Sequence, residues 1–307
     1  MTDAWIAARV VHFAATMAAF GIGAFGLYAF AGGTIPPDDP VRAALDTALV
    51  RAGLVAAVIS LLSALAIIPF ITAEMTGSGA LAFDPATWRA VLLDTEFGHV
   101  WCWHLGFAVA LLVIAALPRR RWRNGAVTLA ALLLLASLGL TGHAAMDMGG
   151  GPTHEINQMT HLIAGGLWLG GLVPLGVLLY RATRRDGAYV PLALIALPHF
   201  SQIGYVAVAL LAITGSVNSV MLVSSFGAFA TTPYGRLLAV KIALFLAMIG
   251  LALVNRLRLV PRLRGPEPTI ATLRVLARSV FAEQAIGVTI LAVVSVLGTW
   301  PPANMAM

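Results

Sequence analysis

Residues 46–73 read DTALVRAGLVAAVISLLSALAIIPFITA, with Asp46 and Arg51 the only charges, both near one end. An α-helix crosses the hydrocarbon core of a bilayer with about 20 apolar residues, so this run is long enough to span it. Seven other stretches meet the same length: 5–31, 97–117, 125–143, 156–180, 191–222, 235–255 and 276–299. The expected fold is all-α, a polytopic membrane protein with a bundle of eight transmembrane helices joined by short loops. The 307 residues are 60% hydrophobic and 10% charged. A water-facing domain usually carries about a quarter charged residues, so a soluble fold is excluded. The spans consume nearly the whole chain, which reads as one transmembrane domain over 1–307. Any chemistry must sit in the bundle or its loops, and no enzyme activity is expected.

The first span has no basic segment before it and contains Arg9, so it reads as a retained helix and not as a signal peptide. The net charge of +6 does not point to nucleic acid, because the arginines are confined to a few loops. The single cysteine, Cys102, excludes an intrachain disulfide and a CxxC motif.

Basic residues in short loops favour the cytoplasmic side. Arg119, Arg120, Arg121 and Arg123 follow the third span, Arg181, Arg184 and Arg185 the fifth, and Arg256, Arg258, Arg262 and Arg264 the seventh. With Arg42, Arg51, Arg274 and Arg278, 15 of the 19 basic residues fall on one face. Both termini are then expected in the periplasm, with the chain in the bacterial inner membrane and the bilayer as its surroundings.

That topology gives the histidines a side. His12, His99, His104, His143, His154 and His161 fall in the outer half, and His199 alone in the inner half. At 1.5 Å per residue, His12, His104 and His161 lie about 9 to 12 Å below the outer helix ends, a shared layer. Lys241 reaches a similar depth; a cation is a poor metal ligand and is expected to pair with an acid, a phosphate or a carbonyl. The loop between spans four and five carries His143, Met146, Met148 and His154 around three glycines. Thioether together with imidazole suits copper, Cu(I) above all. Met305 and Met307 add two more sulfurs on the same face. Glu74 is a solvated helix-end charge or part of a cation entry site. On the inner half, His199 and Glu283 share a depth and form a candidate relay for protons or an exiting ion, with an interhelical hydrogen bond as the simpler role. Gly165, Gly166, Gly170 and Gly171 make a small-residue face suited to close helix packing. Trp5, Trp101, Trp103 and Trp300 are expected as interfacial anchors.

Several blocks resemble the CopD copper-resistance membrane proteins: Arg9-Val10-Val11-His12-Phe13, Thr141-Gly142-His143-Ala144, the run from His161 to Leu172, Thr232-Pro233-Tyr234-Gly235-Arg236 with Lys241, and Leu297-Gly298-Thr299-Trp300-Pro301-Pro302. The order and spacing of these blocks cover nearly the whole chain. The resemblance implies copper homeostasis in the inner membrane, usually as uptake, with a separate periplasmic copper-binding protein of the CopC type as donor, since no fused periplasmic copper-binding domain is expected in this chain.

Three functions follow as expectations. A copper permease would acquire the ion, as Cu(I) or Cu(II), at His143, Met146, Met148 and His154, with His99 and Glu74 nearby, and pass it to His12, His104 and His161. An electron-transfer protein or membrane reductase would instead hold a b-type haem between histidines of neighbouring helices. A sensor or scaffold would bind copper without moving it. No GxxxxGK[ST] motif is present, which argues against a self-contained ATP-driven pump.

Overall fold

A computed structural model describes residues 2–118, 120, 122–141, 151–184, 187–223, 225, 227–263, 265 and 270–301. Among the described residues, eight helices are long and apolar enough to cross a membrane: α1 Thr2–Tyr28, α2 Pro40–Thr76, α3 Glu96–Ala116, α4 Arg123–Leu140, α5 Pro152–Arg184, α6 Val190–Leu222, α7 Pro233–Leu263 and α8 Ile270–Leu297. In hydrocarbon every backbone amide must find an internal partner, and a continuous helix achieves this alone. The eight expected spans are all present, and several run further than their apolar runs suggested.

The added length comes from local capping. The Asp39 carboxylate accepts from the Val41 and Arg42 amides at 3.0 and 2.9 Å, and Pro40 occupies the first helical position. Those groups start α2 six residues before its apolar run. Gly77, at φ +64°, ends it, because a left-handed turn is open to a residue without Cβ. A short helix, Pro85–Asp94, went unanticipated in the connection to α3. Its signal was local: Asp84 caps it, followed by Pro85. Hydrogen bonds from Thr87, through its hydroxyl and its amide, hold the Asp84 carboxyl below the usual carboxylate range.

α1 packs against α2, α4, α5 and α8, and α5 against α1, α4, α6 and α8, so these two helices form the centre. Their backbones nearly touch: a Cβ on Gly21 would stand 2.0 Å from the Gly170 carbonyl carbon, and one on Gly170 the same distance from the Met17 oxygen. The expected small-residue face of α5 is therefore a packing face. At this crossing α5 widens into a π-helical stretch, Gly166–Gly170. A second such stretch, Asn255–Leu259, interrupts α7.

Trp5 of α1 stacks on Phe70 of α2 at 5.5 Å, and Arg9 lies against Gly298 just past α8, so both chain ends share one end of the bundle. The helix ends that carry Arg123, Arg181, Arg184, Arg262 and Arg274 lie at the other. The largest apolar core, containing Phe25, Leu45, Leu178, Leu192, Leu263 and Leu273, fills the arginine-rich end. A second core, with Phe20, Ala57, Leu111 and Leu134, joins α1 to α4, and a small third one, with Tyr234, Leu238 and Leu297, closes α6, α7 and α8 near the termini.

Candidate metal centre

Between the second and third cores lies a cavity of about 1420 Å³ at the end that carries the termini. All eight helices contribute to its wall, which is largely apolar, with Phe13, Trp168, Leu169 and Phe245 among the lining residues. Into it face His12, His154, His161, Glu74, Arg9 and Lys241. Arg9 lies over the rings of Trp5 and Phe13, 5.3 and 5.8 Å from their centroids, and Glu74 at the mouth attracts its charge.

His12 leads from this cavity to a second imidazole behind it. His12 Nε2 and His104 Nε2 are 2.9 Å apart, and both residues are almost wholly buried. Each ring is held at its far nitrogen by a serine: His12 Nδ1 meets Ser63 Oγ of α2 at 2.8 Å, and His104 Nδ1 meets Ser137 Oγ of α4 at 2.8 Å. Trp101, one turn before His104 on α3, stacks on its ring at 4.6 Å with 19° between the planes. Four helices thus converge on two histidines.

His161 stands apart from this pair on another wall. Its Nδ1 meets Thr214 Oγ1 of α6 at 2.8 Å. Beside it Asn157 donates to Asn218 Oδ1 at 2.8 Å, and Asn218 donates to Gln158 Oε1 at 2.9 Å, a polar ladder tying α5 to α6. The shared layer expected for His12, His104 and His161 is therefore a contacting pair plus one histidine on the cavity wall. Among the described residues no group of three or more His, Cys, Asp or Glu side chains comes together. Depth along a helix axis could place these residues at one level; only packing could say which way they point.

The other candidates divide. His154 is buried and lines the cavity. His99 is exposed and donates from Nε2 to the Leu93 carbonyl at 2.7 Å, clasping the short helix before α3. His143, Met146 and Met148 lie outside the described residues. The inner relay is not formed as expected. His199 donates from Nδ1 to the Ala29 carbonyl at 2.9 Å, while Glu283 accepts from Asn255 Nδ2 at 2.6 Å. Equal depth on α6 and α8 did not make them neighbours, because α8 packs against α5 and α7, which supplies Asn255. Lys241 makes no hydrogen bond among the described residues; it lines the cavity near His161. Two of the expected interfacial tryptophans, Trp5 and Trp101, are buried instead, whereas Trp103 is 70% exposed as an anchor would be.

Comparison with known proteins gives this site a context. Residues 1–153 match a family described as Copper resistance protein D-like, N-terminal domain, and residues 194–297 match Copper resistance protein D. Copper resistance protein D of Pseudomonas syringae pv. tomato is 30% identical, over 97% of this chain and 96% of its own length. The chain belongs to the copper resistance protein D family. The inner membrane protein YebZ of Escherichia coli (strain K12) is 34% identical over 97% of this chain and 98% of its own length. Copper transport protein CutJ of Bacillus subtilis (strain 168) is 28% identical over 76% of this chain and 42% of its own length. No solved structure matches. This copper resistance protein D relative is a multi-pass inner-membrane protein.

For a member of this family, imidazoles and thioethers are fitting ligands for a copper cargo. The haem alternative fits the described histidines less well. A b-type haem held by two histidines places a whole macrocycle between their rings. His12 and His104 touch directly, with Trp101 stacked alongside. Sequence reasoning missed Ser63, Ser137 and Thr214, each bound to an imidazole. Small hydroxyl residues are common in membrane helices, and a polar residue inside a span was the one signal available.

Proposed function

We propose that this protein is a copper permease of the inner membrane, with both termini and the cavity mouth on the periplasmic side, that takes copper inward. The observation that carries the reading is the cavity itself, with His12, His154 and His161 on its wall and the His12–His104 pair at its blind side. The positive-inside rule supports the orientation, since the opposite end bears most of the arginines. Copper would arrive from a periplasmic donor of the CopC type and be captured near the mouth by His154, with His143, Met146 and Met148 from the adjoining segment and Glu74 at the rim. It would then move to His161 and the His12–His104 pair. The role is transport without covalent change to a substrate, so no catalytic residue is assigned.

Purified protein in liposomes, with copper outside and a chelating indicator within, tests this. Wild-type protein should carry copper across, and His12→Ala should reduce the flux at least tenfold. Copper binding without flux in either direction would replace the permease with a sensor or scaffold, and a Soret band in purified protein would bring back the haem reading.

A further inference from the structure

We propose that His12 and His104 form a two-coordinate site selective for Cu(I) over Cu(II), with Ser63 and Ser137 as positioning residues that lock both imidazoles in the ligating tautomer. This rests on the copper reading above and specifies the form of the ion at its buried site.

Both serine hydroxyls already have an acceptor on their own helix. Ser63 Oγ lies 2.6 Å from the Ile59 carbonyl and 3.1 Å from the Ser60 carbonyl, and Ser137 Oγ lies 2.8 Å from the Leu134 carbonyl. A carbonyl can only accept, so each hydroxyl spends its single proton on the backbone of its own helix. Each serine oxygen is then free to accept from the imidazole that it meets, which puts that ring's proton on Nδ1 and a lone pair on Nε2. In the empty pair the two Nε2 atoms stand at hydrogen-bond distance, 2.9 Å, and share one proton between them. A cation takes the place of that proton, which moves to Nδ1 against the serine, so that both rings turn a lone pair to the ion. A hydrogen bond at the far nitrogen that fixes tautomer and ring orientation is also the usual support of a metal-bound histidine.

The geometry selects the ion. Two metal–nitrogen bonds of about 2 Å set the nitrogens about 4 Å apart. The rings need part by only about 1 Å to admit an ion in line between them. Linear two-fold coordination by neutral nitrogen suits the closed-shell Cu(I) ion, whereas Cu(II) requires a tetragonal set of nitrogen and oxygen ligands. No such set is assembled here, because no third His, Cys, Asp or Glu joins the pair among the described residues. Charge points the same way. Removing an ion from water costs energy that rises with the square of its charge, about fourfold more for a dication of equal size. The pair offers no carboxylate to offset that cost, and Arg9 sits one turn from His12 on the same helix. Trp101, stacked on His104, excludes water and further ligands from one side.

The test is anaerobic titration of the detergent-solubilised full chain with Cu(I) against a calibrated chelator, alongside X-ray absorption on the copper-loaded protein. Wild-type protein should show a Cu(I) component with two nitrogen neighbours in line, and Ag(I) should compete for it. His104→Ala should lose that component. Ser63→Ala and Ser137→Ala should each weaken it about 10- to 100-fold, the usual effect of removing a ligand's hydrogen-bond partner. Ser63→Thr, which keeps the hydroxyl, should restore it. If a histidine variant fails to fold, the absorption spectrum of the wild-type protein still decides. Copper held as Cu(II) with four or more ligands, or full Cu(I) affinity in both serine-to-alanine variants, overturns the proposal while permease function, read as flux in liposomes, stands. Absence of both the two-nitrogen component and copper flux overturns the proposal and the permease reading together.

Discussion

Glu283 and Asn255 show how a buried polar pair can be half satisfied. Asn255 Nδ2 donates to Glu283 Oε1 at 2.6 Å, but Asn255 Oδ1 has no hydrogen-bond partner among the described residues. Both residues are more than nine-tenths buried. A glutamine at 283 can accept from Asn255 and also donate to that idle oxygen, so Glu283→Gln should retain or raise thermal stability. Glu283→Ala should lower it by about 1–3 kcal/mol, the cost of leaving a buried amide without its acceptor. Thermal unfolding of the two variants in detergent separates them, and equal losses would show that packing volume, not the hydrogen bond, holds α7 to α8. At this same scale the histidines were legible from sequence, because imidazole inside an apolar span is conspicuous. Their partners were not. Ser63, Ser137 and Thr214 resemble any other small residue of a membrane helix until neighbouring helices turn them towards a ring.

The crossing of α1 and α5 rests on two glycines. At Gly21 and Gly170 the opposing atoms are backbone, which cannot swing aside as a side chain can. Gly21→Ala or Gly170→Ala should therefore push the central pair apart and cost about 1–3 kcal/mol or more, seen as a lower melting temperature and reduced yield of folded protein. Gly106→Ala on α3 is the control, since nothing lies within 4 Å of a Cβ there and a helical alanine is favoured over glycine by about 1 kcal/mol. A drop at Gly106 equal to that at Gly21 would refute the crossing as the cause. The α5 glycines were visible in sequence as a packing face, but Gly21 as their counterpart was not, because its role depends on which helix lies opposite. Capping explains the element ends in the same way: Asp39 and Gly77 extend α2 well past its apolar core, to 37 residues or about 55 Å.

At the scale of the whole molecule, one large cavity opens at the end that carries both termini, and arginines crowd the other end. The orientation proposed from this makes a direct prediction. With Cys102 replaced by serine, a cysteine at Ala80 should react with a membrane-impermeant maleimide in intact spheroplasts, while one at Asp38 should react only after lysis. Both positions are exposed, in the loops after α2 and before it, so access decides the outcome and not burial. The reverse pattern would invert the permease. The sequence alone determined the eight spans, the segregation of the arginines and the presence of histidines near one end, because each of these is a property of consecutive residues: apolar length, charge per loop, position along a helix axis. Tertiary structure alone decided which histidines meet. His12 and His104 are 92 residues apart and touch, whereas His199 and Glu283 share a depth and bond elsewhere. The physical reason is that a helix axis fixes depth by counting residues, while the azimuth of a side chain and the identity of its neighbour depend on how helices pack, and that is settled by contacts such as Gly21 on Gly170 far from the site they bring together.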